Sequence, residues 1–302
     1  MLPAELRRQL SSGVIGFPVT PFHADGSLDL AGLSRNVDVM ASHGFCALVA
    51  AGGTGELYSL TADEHREVVR ATVAATAGRM PIIAGVGGSV ALAAALAREA
   101  ASAGAAGILA LPPYYPGADD AGLLAYYRDI GAATDRGLLV YSRDWVNPGP
   151  GFVSKLADAA PTLIAWKDGQ GDMRRLQIVM AGVGDRLLWI GGAGDDLVGA
   201  YYRLGIRTYT SSISNVAPRL SLVLHDLAAA GDEATLAPLL RDHVVPLYAL
   251  RARRKGYEVS AMKAMMAPIG LAGGPVRPPL VEVNDAERAE LQRMLDGWRE
   301  YL

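Results

Sequence analysis

The sequence predicts a (β/α)8 TIM barrel with a C-terminal helical extension. Three observations carry that expectation. Eight short apolar runs alternate with Ala/Leu-rich helical stretches, the eight units fill about 230 of the 302 residues, and the remainder shows helical patterning alone. Strands that alternate with helices pair in parallel, because only a crossover returns the chain in the same direction. Eight such units in this length match a closed barrel.

In chain order the strand candidates are 14–22, 46–52, 81–87, 106–114, 137–143, 163–169, 187–193 and 206–212. A helical pattern follows each. The clearest helix start is Thr61-Ala-Asp-Glu64, a capping box in which the threonine side chain accepts the Glu64 amide and the glutamate reaches back. The expected division is a barrel over 1–232 and a helical subdomain over 233–302 packed on it, with no Pro/Ser/Gly linker between them. The rival architecture, an open doubly wound sheet, would announce itself with a glycine fingerprint opening a helix. The candidates beginning at Gly85, Gly169 and Gly192 each lack the third glycine, and no GxxxxGK[ST] loop is present.

Composition narrows the chemistry. A net charge of −3, from 28 basic and 31 acidic residues, offers no field for nucleic acid or an anionic membrane. One cysteine, Cys46, excludes a disulfide framework and multi-cysteine metal sites, and reads as a packing residue. The five histidines form no i,i+4 pair, so no metal is expected. No apolar run approaches the roughly 20 residues that span a bilayer. The first residues lack the apolar core of a signal peptide, and a soluble cytoplasmic protein is expected.

Barrel chemistry sits where strands end. Lys167 ends the sixth run in a chain with only four lysines (155, 167, 255 and 263). Burial there would lower its pKa and leave a neutral amine able to attack a carbonyl carbon. The bland alternative is a lysine that snorkels from the barrel mouth or pairs with Asp168. Tyr141 ends the fifth run, next door, where a phenol can relay protons to an imine or simply pack in the core. The loop Gly52-Gly53-Thr54-Gly55-Glu56 can turn backbone amides and a hydroxyl toward a carboxylate, or be a tight turn without a ligand. Ser212, after the eighth run, can bind a polar substrate or cap the next helix. Arg251, Arg253, Arg254 and Lys255 form a basic run of the kind that usually lies on a solvated helix face.

Taken in order, Phe17-Pro-Val-Thr-Pro-Phe22, the Gly-Gly-Thr-Gly-Glu loop, Tyr141 and Lys167 resemble the dihydrodipicolinate synthase / N-acetylneuraminate lyase superfamily over almost the whole chain. Within it the likeness is greatest to the 5-dehydro-4-deoxyglucarate dehydratases, through Tyr141-Ser-Arg-Asp144, Ser211–Pro218, Arg254–Lys263 and Gly274–Leu280. Two positions depart from that group. Ser142 stands for the usual asparagine, which would shorten a polar side chain near the substrate. Gly191-Gly-Ala-Gly-Asp-Asp196 is closer to the synthase pattern.

The resemblance implies a keto-acid substrate whose carboxylate lies on Gly53 and Thr54 and whose ketone condenses with Lys167, with Tyr141 moving protons. No cofactor is implied, because the imine itself is the electron sink. A glucarate derivative carries a second carboxylate, and Arg143 is expected to hold it, unless it pairs with Asp144 or another rim acid. A pyruvate-dependent aldolase of the same superfamily and a non-catalytic keto-acid-binding homologue are the alternatives. The resemblance also implies a homo-oligomer, a tetramer or dimer. Tyr115 matches a tyrosine that reaches a neighbouring subunit's site, or it packs on its own chain.

Overall fold

In the computed structural model, which describes all 302 residues, eight parallel strands close on themselves in sequence order. They are β1 (Gly13–Gly16), β2 (Ala47–Ala50), β3 (Ile82–Val86), β4 (Gly107–Ala110), β5 (Gly137–Ser142), β6 (Leu163–Asp168), β7 (Leu188–Gly191) and β8 (Thr208–Ser211). Every strand falls in its predicted run, although β1 starts one residue early. The runs overreach mainly at their C-terminal ends. Residues 17–22, 51–52 and 111–114 leave the ladder and become the loops at the barrel mouth.

A first helix, α1 (Pro3–Gln9), precedes the barrel, and one helix follows each strand: α2 (Leu30–Ala41), α3 (Ala62–Thr76), α4 (Val90–Ser102), α5 (Asp120–Gly131), α6 (Pro150–Ala159), α7 (Met173–Val183), α8 (Val198–Arg203) and α9 (Pro218–Ala230). The capping box forms as expected: Thr61 Oγ accepts the Glu64 amide at 3.2 Å, and the Thr61 amide donates to Glu64 at 2.9 Å. None of these helices is long and apolar enough to cross a membrane.

Successive strand residues face opposite sides, so the strands serve two cores. One, of 65 buried residues, lies mainly between strands and helices; the other, of 15, fills the barrel and includes Ile15, Val49, Ile83, Leu109, Leu139 and Ile190. The floor of the inner core is α1, which the sequence analysis did not foresee. Its Leu6, and Leu10 just beyond it, are fully buried in the inner cluster. Burying each leucine contributes about 1.5–3 kcal/mol. A Cβ on Gly107 would lie 2.5 Å from Leu6 and 3.1 Å from the Gly137 carbonyl, so glycine at the base of β4 makes room for the plug.

One irregularity sets the phase of β6. Leu138 pairs with Leu163, but Leu139 pairs with Ala165, so one residue is inserted on β6. Ile164 and Ala165 both belong to the inner cluster, while Leu163 and Trp166 pack outside. Past the bulge the alternation brings Lys167 inward, directly beside Tyr141, its register partner on β5. Without the inserted residue, every later side chain of β6 would face the other way.

Beyond β8 the chain forms α10 (Glu233–Leu239), a π-helical turn at Leu240–Val244, α11 (Val245–Arg251), α12 (Tyr257–Met266) and α13 (Asp285–Gly297). The expectation of helices alone fails between residues 270 and 284, which run without helix back to the barrel mouth. Arg277 anchors this segment. Its guanidinium grips both carboxylate oxygens of Glu64 (2.5 and 2.9 Å), and its amide donates to Glu56 at 3.0 Å. Hydrogen bonds from the Arg277 guanidinium, against the opposing effect of burial and helped by the Thr61 amide and the Arg277 charge, pull the Glu64 carboxyl down to a pKa of about 2.

Candidate active site

At the C-terminal ends of the strands the chain encloses a cavity of about 390 Å³. It is lined by Gly53 and Thr54 after β2, Tyr141 and Arg143 from the end of β5, Lys167 on β6, and Ser212 after β8. Six of the seven site residues expected from the sequence therefore meet in one place. Tyr115 does not; it is 68% exposed and outside the lining.

Lys167 is only 3% exposed, which rules out snorkelling, and it has no carboxylate within ion-pairing distance. Asp168 faces the other way, accepting from Tyr201 at 2.7 Å and from the amides of Gln170 and Gly171 at 3.2 Å. The Lys167 amine donates to the Gly192 carbonyl at 3.1 Å and lies 3.3 Å from the centre of the Tyr141 ring. Burial, and then the nearby Arg143 charge, hold its pKa well below the ordinary lysine value, with Asp168 pulling weakly the other way. That shift favours the neutral amine, whose lone pair is the nucleophile. A Cβ on Gly192 would fall 2.6 Å from both Cγ and Nζ of Lys167, so the loop after β7 can approach the amine only as glycine.

Tyr141 is buried, and burial raises its phenol pKa, with Arg143 opposing. Its hydroxyl points to the same Gly192 carbonyl, at 3.5 Å. Amine and phenol thus share one acceptor, which holds the phenol close to the atom on which an imine would form.

Across the cavity, the amides of Gly53 and Thr54 donate to no protein acceptor, and neither does the Thr54 hydroxyl. Three unused donors on a glycine-rich turn form a ready cradle for a carboxylate. The turn is fixed from outside. Thr20 Oγ donates to the Gly55 carbonyl at 2.7 Å, and the buried Glu56 forms an ion pair of 2.5 Å with the buried Lys263 of α12. Asn215 ties the first loop to the end of β8 by accepting from Val19 and donating to the carbonyls of Phe17 and Ser212.

The serine pair divides into two roles. Ser211 caps the turn after β8, accepting the Ser214 amide at 3.1 Å and bonding to Ser221. The Ser212 hydroxyl makes no capping bond and stays free in the cavity lining. Ser142 corrects an expectation. It faces outward from β5, its hydroxyl donates to the Val146 carbonyl at 2.9 Å, and it does not line the cavity.

Arg143 is about one-third exposed and sits between Asp144 (3.4 Å) and Glu258 (3.5 Å), both long contacts. Its Nη1 lies 3.4 Å from where a side chain on Gly53 would begin, so the guanidinium borders the amide cradle.

The far wall went unread in the sequence. Asp195 follows β7, is fully buried, and is pushed by burial up to a pKa of about 6, against the pull of its hydrogen-bonding neighbours and Arg251. Tyr248 accepts the Asp195 amide at 2.7 Å and donates to its carboxylate at 3.0 Å. Arg251 is 7% exposed, the exception within a basic run expected at the surface. Its signal was its spacing, four residues after Leu247 and seven after Val244, on the buried stripe of its helix. No three His, Cys, Asp or Glu side chains converge as a metal site, and Cys46 is buried, with its thiol pushed up to about 12.

Comparison with known proteins finds relatives over nearly the whole chain. The sequence model of the dihydrodipicolinate synthetase family matches residues 10–297. A probable 5-dehydro-4-deoxyglucarate dehydratase of Methylobacterium radiotolerans is 42% identical over 301 residues, covering 99% of each chain. One of Xanthomonas campestris pv. campestris is 40% identical over 299 residues and 98% of each. Among solved structures, the dihydrodipicolinate synthase of Oceanobacillus iheyensis superposes with a TM-score of 0.92 at 29% identity, over 99% of both chains. That of Bacillus clausii gives 0.91 at 28%, over 97% of this chain and 99% of the other.

Proposed function

The chain belongs to the dihydrodipicolinate synthetase family, and from that premise we propose that it is a lyase converting 5-dehydro-4-deoxy-D-glucarate to 2,5-dioxopentanoate, carbon dioxide and water. The observation that carries the proposal is the buried, carboxylate-free amine of Lys167 facing a loop of unused amides across one cavity. The dehydratase names of relatives at 40–42% identity support the choice of reaction.

The 2-oxo acid end of the substrate sits on the amides of Gly53 and Thr54, and its ketone condenses with Lys167, releasing water. The protonated imine acidifies the adjacent methylene. Loss of that proton and departure of the next hydroxyl as water leave a conjugated imine. The far carboxylate leaves as carbon dioxide, and its bonding pair flows along the conjugated chain to the imine nitrogen. The enol at the far end becomes the aldehyde, and water returns the amine. Tyr141 carries protons during imine formation and hydrolysis. Arg143 and Ser212 bind polar groups of the substrate. No cofactor is called for, since the lysine supplies the electron sink.

Residues 1–232 form the catalytic barrel in this proposal, and 233–302 a helical subdomain that closes the cavity from one side. The enzyme is a homo-oligomer in which Tyr115 reaches a neighbouring subunit's site; a dilute monomer with undiminished activity would refute that part. The chemistry is tested by borohydride trapping with 5-dehydro-4-deoxyglucarate and, separately, pyruvate, read by intact mass and peptide mapping. An adduct on Lys167 and release of carbon dioxide from the diacid are expected. Adducts with both compounds but no carbon dioxide would move the assignment to an aldolase. No adduct with either would leave a binding protein.

A further inference from the structure

The Asp195–Tyr248–Arg251 wall has no part in the steps above, yet it borders the same cavity as Lys167. Two guanidinium nitrogens of Arg251, Nε and Nη2, are buried without any hydrogen-bond partner. No acid lies within ion-pairing distance of it, although Asp195 and Asp196 are near enough for their pKa values to feel its charge. Tyr248 backs the guanidinium, its ring centre 5.0 Å from Cζ. A buried cation with unmet donors is costly, and folded proteins seldom leave one without a compensating partner. Arg251 as a whole lines the cavity, so an anion that enters it meets the guanidinium, and a small turn of the side chain brings the buried nitrogens to it.

We propose that Arg251 binds the far carboxylate of the substrate and makes the site selective for a diacid. The inference rests on the reaction assigned above and gives the two arginines different ends of the molecule. Arg143 borders the Gly53 cradle and already shares its charge with Asp144 and Glu258. It belongs to the near carboxylate, a different end from the one the sequence suggested. Arg251 comes from the C-terminal helices, beside the loop after β7, and is unshared. Its planar fork matches a carboxylate with two hydrogen bonds.

Two variants test this, Arg251→Met, which keeps the bulk of the side chain, and Arg251→Lys, which keeps the charge without the fork. For each, the half-saturating concentration for borohydride trapping is measured with the diacid and with pyruvate, which has no second carboxylate. Half-saturation does not depend on the fraction of active protein, so partial misfolding cannot imitate the result. Arg251→Met should raise the value for the diacid about a hundredfold, Arg251→Lys by about tenfold, and neither should move pyruvate more than twofold. A diacid value within threefold of wild type in Arg251→Met, or equal shifts for both compounds in either variant, would overturn the proposal. Should Arg251→Met yield no folded protein, Arg251→Lys decides by the same ratio. Failure of the wild type to trap either compound would instead sink the assigned reaction, an outcome visible before any variant is made.

Discussion

Two of the four lysines are buried, and they live opposite lives. Lys263 of α12 meets Glu56 at 2.5 Å and the Pro275 carbonyl at 2.8 Å. Lys167 of β6 meets one carbonyl and the face of a tyrosine. Burial lowers the pKa of both, but at Lys263 the Glu56 charge and hydrogen bond oppose the shift, whereas at Lys167 the Arg143 charge adds to it. Burial alone therefore does not make a lysine reactive. The missing counter-charge separates the two: the same residue type is a paired strut in one wall and, in the proposed function, the nucleophile in the other.

The same substitution at both positions gives the sharpest contrast. Lys167→Met should lower kcat/KM by at least about 10⁴-fold and abolish borohydride trapping while the protein stays folded. Retained trapping would mean that another amine carries the imine. Lys263→Met should leave a buried Glu56 unpaired and cost about 3–5 kcal/mol of stability, read from denaturant midpoints. Adding Glu56→Leu should recover part of that loss. In the same assay Lys167→Met should raise stability, by about 0.5–2 kcal/mol, because it removes a polar group that the fold holds without an ion-pair partner. Destabilisation of equal size at both sites would erase the distinction between them.

Titration tests the contrast more finely. Between the depressed folded value of Lys167 and its ordinary value, the unfolded chain holds a proton that the folded one lacks. Wild-type stability should therefore rise with pH across that window, and Lys167→Met should remove that contribution. The ascending limb of kcat/KM reports the same group, since the neutral amine is the active form. Arg143→Gln removes a neighbouring positive charge and should move that limb toward higher pH, by up to about one unit. A limb that stays in place would show that burial alone sets the amine.

How far the sequence could be read follows from the range of each interaction. The strands and their helices were legible because their patterns are local, as was the capping box at Thr61. That Lys167, Tyr141, Gly53, Thr54 and Arg143 would meet in one cavity was legible because a barrel displays its strand ends together. The inward turn of Lys167 depends on a one-residue bulge between β5 and β6, which leaves no mark in composition. Leu6 and Leu10 read as part of an ordinary N-terminal segment, and only the glycine at the base of β4 shows where they fit. Arg251 was masked by its neighbours. Arg253 pairs with Glu290 near the surface, so the run is solvated except at its one buried member.

The clasp between Glu56, Lys263 and Arg277 joins residues more than 200 positions apart. It therefore sets an order on the birth of the enzyme. In a chain leaving the ribosome all eight strands exist before residue 263 does, yet the Gly53–Thr54 turn would still lack the tail that steadies it. The clasp cannot close until both of its ends exist, so the turn is fastened only with the final stretch of synthesis. A barrel cut short before α12 would lack both the fastening of that turn and the core residues Met262, Met265, Leu291 and Trp298.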